Sequence, residues 1–91
     1  VSKIIEKEIV IKNKLGIHAR PAALLVQLAN KFKSEICVCK DSEVVNAKSI
    51  IGIMTLAANY GSRLKIKAEG PDAEDAIKAL VQLCNDKFGE K

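Results

Sequence analysis

The sequence holds a single histidine, His18, within Gly16-Ile17-His18-Ala19-Arg20-Pro21-Ala22-Ala23, where a turn gives way to helical periodicity. Pro21 fixes its own φ and costs no intrahelical hydrogen bond in a first turn, so the spacing predicts a helix beginning at His18 or Ala19. The backbone N–H groups of Ala19 and Arg20 would then surround the imidazole as a local anion site reinforced by the helix dipole. Arg20 adds a permanent cation whose planar fork suits phosphate oxygens. A nucleophilic imidazole in such a site can accept a phosphoryl group. The competing structural reading is a capping or partly buried histidine beside a surface arginine.

Other chemistries lack their residues. Cys37, Cys39 and Cys84 make an odd count, and the first two stand too close along one strand for an ordinary disulfide framework, so reduced thiols are expected. With one histidine and no C-x-x-C, neither a metal site nor a cofactor is expected. There is no G-x-x-x-x-G-K-[ST] loop, no G-x-S-x-G elbow, and no second histidine to act as base for a cysteine or serine. Fifteen Lys and Arg against eleven Asp and Glu leave a net charge of +4, which favours acidic partner surfaces or phosphorylated ligands. A basic nucleic-acid module is the different-class alternative, but aromatics are 3% of the chain, only Phe32, Tyr60 and Phe88, and offer few stacking platforms. No run approaches the roughly 18 apolar residues of a membrane span, and acids interrupt Val1 to Glu8 where a secretory segment would be apolar. The expected location is the cytoplasm, away from membranes.

The elements that must position His18 follow from changes of apolar period. Ninety-one residues suit one domain, residues 1–91, and 48% hydrophobic with 29% charged residues suits an ordered chain. Ile5, Ile9 and Ile11 alternate along a strand from about Ile4 to Lys12, followed by a turn at Asn13 to Gly16. From Ala19 to Phe32 the period is helical, with Ala22, Leu25, Val26, Ala29 and Phe32 inward. Glu35 to Lys40 and Glu43 to Ala47 flank Asp41-Ser42 as a hairpin. Ser49 precedes the apolar run Ile50 to Leu56, a buried segment or a short helix with an exposed apolar face. Arg63 to Glu69 alternates strictly, and Gly70-Pro71 stops it. Asp72 then caps a helix with Glu74 and Asp75 in its first turn, an apolar stripe of Ala76, Ile77, Leu80, Val81, Cys84 and Phe88, and Gly89 at its end. The order βαββαβα predicts an open-faced α/β sandwich: a four-stranded antiparallel sheet with three helices on one face, and Cys37 and Cys39 on the other.

Gly16 to Ala22 resembles the active-centre signature of the HPr family, the histidine-containing phosphocarriers of the bacterial phosphoenolpyruvate-dependent phosphotransferase system. Lys48-Ser49-Ile50-Ile51-Gly52-Ile53-Met54 resembles that family's regulatory-serine segment, and the two together extend the resemblance over essentially the whole chain. The resemblance implies an HPr-like sandwich and a monomeric carrier rather than a free-standing enzyme. His18 Nδ1 would take phosphate from enzyme I, itself charged by phosphoenolpyruvate, and pass it to an EIIA domain for sugar uptake. Ala19, Arg20 and Pro21 would steady the phosphoryl group.

The resemblance also makes Ser49 a regulatory site for an ATP-dependent HPr kinase/phosphorylase, beside its ordinary reading as an N-cap. A phosphate there would add about −1.5 to −2 charge. On the first helix Arg20, Ala23, Gln27 and Lys31 lie opposite the buried stripe, with Leu24 at its edge. Together with Ile50, Ile51, Met54, Lys14 and Lys48 they resemble the family's shared surface for enzyme I and EIIA. Two alternatives stay within the family: a nitrogen-branch carrier, and a regulatory adaptor with an idle His18, although relatives specialised that way usually lack the histidine.

Overall fold

The computed structural model describes residues 3–90. Its elements are β1 (Ile4–Val10), α1 (Ala19–Ala29), β2 (Glu35–Lys40), β3 (Glu43–Asn46), α2 (Ile50–Thr55), β4 (Arg63–Glu69) and α3 (Ala73–Asn85), followed by a 3-10 turn at Lys87–Gly89. The strands form an antiparallel sheet in the order β1-β4-β2-β3. Alternation along the strands sends Ile9, Ile36, Val38, Leu64, Ile66 and Ala68 to the buried side, where they meet Ala22, Leu25 and Ala29 of α1 and Ala76, Ile77, Leu80 and Cys84 of α3. Each large aliphatic so buried contributes about 1.5–3 kcal/mol, which fixes the register because a one-residue slip would turn every such side chain to water. The opposite face carries Glu6, Glu8, Lys65, Lys67, Cys37 and Cys39. Among the described residues no helix is long and apolar enough to cross a membrane.

The hairpin closes on Lys40 and Glu43 without an Asn-Gly turn. Asp41 takes a left-handed φ of 55°, which its short polar side chain tolerates. Several boundaries differ from the periodic expectation by one to three residues. β1 ends at Val10 rather than Lys12, and Ile11 instead exchanges backbone hydrogen bonds with the Gly61–Ser62 turn. α1 ends at Ala29 rather than Phe32, since Lys31 and Phe32 bond back three residues, to Leu28 and Ala29, in a tightened turn.

Two expectations about α3 need correction. Asp72 occupies the N-cap position, but its carboxylate does not cap the helix. It accepts instead from the Ser34 hydroxyl and from the backbone N–H groups of Lys33 and Ser34, tying the start of β2 to α3. Those bonds, the Ser34 hydroxyl foremost, pull its pKa from 3.8 to about 2. Nor does α3 run to Gly89. It stops at Asn85, and Lys87, Phe88 and Gly89 take left-handed φ values of 56°, 55° and 76°. A non-glycine residue in that region costs about 1–2 kcal/mol. Phe88, only 2% exposed, regains a comparable amount by burial.

Candidate active centre at the start of α1

Gly16 sets the approach to His18. Its φ of 69° is left-handed, and a Cβ there would stand 2.6 Å from the Ala58 carbonyl oxygen, so only glycine fits. Ile17 is buried next to it and donates its N–H to the same carbonyl at 2.8 Å. The residue before the histidine is thereby pinned to the loop after α2. His18 follows as the N-cap of α1, extended at φ −87° and ψ −169°, with its carbonyl accepting from Ala22 N–H at 3.0 Å. Its ring makes no capping bond, and the N–H groups of Ala19 and Arg20 precede that first intrahelical bond. Pro21 and Ala22 are buried and anchor the turn, which leaves the His18 ring partly exposed and the Arg20 side chain about half exposed.

The first turn of α1 contains no acidic residue. The anion that answers its positive end comes from the far end of the chain. Glu90 Oε2 lies 2.7 Å from His18 Nε2 and 3.1 Å from an Arg20 terminal nitrogen, while Oε1 accepts from Asn13 Nδ2 at 3.0 Å. The same Asn13 amide donates to the Gly16 carbonyl at 2.6 Å, and Arg20 donates to the Phe88 carbonyl at 3.2 Å. Burial raises the Glu90 carboxyl's pKa, but the hydrogen bonds from Asn13, His18 and Arg20 and the neighbouring His18 charge outweigh it, leaving the group below the ordinary carboxylate range. An ionised carboxylate can only accept, so Nε2 carries the proton. In the neutral ring the lone pair then sits on Nδ1. The arrangement is an imidazole at the N-cap of α1, held at Nε2 by a carboxylate that also pairs with the Arg20 cation.

Of the residues expected in the site, His18, Ala19, Arg20 and Pro21 come together in this turn. Ser49 stands on a separate element as the N-cap of α2, with Oγ accepting from Gly52 N–H at 3.1 Å. α2 packs against α1 and presents Ile50, Ile51 and Met54 at 41%, 74% and 45% exposure, so this short helix does carry an exposed apolar face. On α1, Ala23 and Leu24 are half-buried and Gln27 is exposed; Lys31, just beyond its end, is exposed too, as is Lys14. Lys48 is half-buried, its ammonium donating to the Phe32 carbonyl at 2.7 Å. Asn13, Phe88 and Glu90 were missed as site residues. Asn13 reads locally as a turn and Phe88 as part of a helical stripe, and nothing near Glu90 in the sequence points it back to His18. Among the described residues no group of three or more His, Cys, Asp or Glu is placed to hold a metal ion.

The family described as PTS HPr component phosphorylation site matches residues 5–86. The phosphocarrier protein HPr of Treponema pallidum is 46% identical over 97% of this chain and 100% of its own length. The HPr-like protein Crh of Halalkalibacterium halodurans is 50% identical over 86% of this chain and 93% of its own. Among solved structures, HPr-C-His from Thermoanaerobacter tengcongensis superposes with a TM-score of 0.93 at 60% identity, covering 96% of this chain and 98% of that one. A family match of this span, relatives of this identity along nearly the whole chain, and the shared βαββαβα sandwich place the chain in the HPr family, the phosphocarriers of the phosphotransferase system.

Proposed function

We propose that this chain relays a phosphoryl group in the cytoplasm, accepting it on His18 Nδ1 from phosphorylated enzyme I and passing it to an EIIA domain. The observation that supports the reading is the placement of His18 at the N-cap of α1: Nε2 is held by Glu90, which also pairs with Arg20, and this leaves Nδ1 as the nitrogen with the free lone pair. In the transfer the Nδ1–phosphorus bond forms as the bond to the donor on enzyme I breaks, and the proton on Nε2 remains on the ring against Glu90. Passage to EIIA reverses the step. Catalysis here is positioning and charge stabilisation, so Arg20 exchanges Glu90 for phosphoryl oxygens. The exposed faces of α1 and α2 supply the docking surface, and phosphorylation of Ser49 by an HPr kinase/phosphorylase would place charge in its middle.

Incubation of the protein with enzyme I and labelled phosphoenolpyruvate tests this reading. One acid-labile label per chain is expected, and none on His18→Ala. Label that survives the substitution removes His18 from the mechanism. A wild-type chain that takes no label favours a regulatory adaptor, a reading motivated by the 50% identity to the protein named Crh.

A further inference from the structure

The sheet face without helices carries two thiols that the relay does not use. Cys37 and Cys39 are two residues apart on β2, so both project from that face, half-buried. The register sets Lys67 beside Cys37 and Lys65 beside Cys39 on β4, with Asn46 and Val44 beside them on β3. A shallow hollow of about 500 Å³ includes both cysteines, Lys65 and Lys67 in its lining. A disulfide within the strand does not fit. Alternate strand residues stand about 6.6 Å apart with parallel Cα–Cβ bonds, whereas a disulfide needs Cβ atoms about 3.5–4.5 Å apart. Burial first, then the neighbouring Cys39, push the Cys37 thiol up, while Lys67 pulls it down.

We propose that Cys37 and Cys39 form a two-coordinate thiolate site for a soft monovalent cation, Cu(I). Two metal–thiolate bonds in line span about 4.6 Å, taking the zinc–thiolate length as a guide, a distance that a strand-spaced pair reaches by leaning its sulfurs together. Tetrahedral zinc would need further ligands, and the described residues offer no group of three. Thiolate donors select Cu(I), which accepts two-fold coordination. On binding, both S–H bonds lose their protons to solvent, two S–Cu bonds form, and no electron is transferred. The resulting bis-thiolate carries one negative charge; Lys65 and Lys67 flank it on β4, where they also face Glu8 and Glu6 of β1, and Arg63 adds a third cation to the hollow.

The test is anaerobic titration of the full chain with Cu(I) against a chromophoric Cu(I) chelator, with size-exclusion chromatography to follow assembly. One Cu(I) per monomer is expected. Cys37→Ser and Cys39→Ser should each weaken binding by more than the about 10–100-fold typical of losing an outer-shell partner. Lys67→Glu, which keeps both thiols, should weaken it by about 10-fold, and decides the matter if a serine variant does not fold. His18→Ala should bind as the wild type does. Affinity unchanged in either folded serine variant, affinity unchanged in Lys67→Glu where a serine variant does not fold, loss of binding in His18→Ala, or one Cu(I) shared by a dimer would each overturn the proposal.

Discussion

His18 Nε2 and Glu90 Oε2 meet at 2.7 Å across a sequence separation of 72 residues, and the same carboxylate oxygen reaches Arg20 at 3.1 Å. Glu90 therefore holds the ring by one nitrogen while occupying the Arg20 cation, which under the proposed relay would bind the incoming phosphoryl group. Glu90→Gln keeps a hydrogen-bonding amide and removes the repelling charge. The phosphorylated form of this variant should hydrolyse several-fold more slowly than that of the wild type, measured as loss of label over time. A faster loss would mean that the hold on the ring outweighs the repulsion.

Arg20→Ala should slow phosphoryl transfer, with a loss of about 2–4 kcal/mol in transition-state stabilisation, the order seen when one such group is removed. The arginine side chain is about half exposed and its contacts are one ion pair with Glu90 and one hydrogen bond to the Phe88 carbonyl, so the melting curve should shift only modestly. Rapid-quench transfer kinetics equal to wild type would reduce Arg20 to a surface cation.

Ser49→Ala removes the acceptor of the Gly52 N–H and should cost about 0.5–2 kcal/mol of stability while leaving transfer largely intact. Ser49→Asp should do the opposite. Its charge is tolerated at the start of α2 but sits beside exposed Ile50 and Ile51, so phosphorylation by enzyme I should slow at nearly constant stability. Thermal melts paired with transfer rates separate the two effects.

Phe88→Ala should destabilise the fold by about 3–5 kcal/mol, the usual range for deleting a buried phenyl ring. Without that anchor the left-handed turn loses its compensation, and Glu90 should leave His18. A shift in the His18 ring resonances, accompanying the stability loss seen in denaturant titration, checks both parts.

Acid sensitivity should trace in part to Asp72, together with the similarly lowered Glu90. The folded Asp72 pKa of about 2 lies below the ordinary 3.8, so the unfolded chain takes up the proton first as pH falls. The stability it contributes is fully present above about pH 4 and disappears as pH falls toward 2. Asp72→Asn should be less stable at neutral pH and should flatten the pH dependence in that window, read from melting temperatures across the range.

Much of the architecture could be read along the chain because its signals are local. The alternation of Leu64, Ile66 and Ala68, the helical stripe from Ala22 to Ala29 and the placement of Pro21 each depend on neighbours within a few residues, and so does the Ser49 cap. His18 at the start of α1 was legible for the same reason. What the sequence alone could not determine lies in contacts between distant segments. Asp72 leaves its own helix unsatisfied because three donors at Lys33 and Ser34 are within reach, and propensity cannot anticipate them. The end of α3 is decided likewise. Periodicity carries the helix on to Phe88, but burial of that ring favours a left-handed turn over another helical one, and only that turn returns Glu90 to the imidazole.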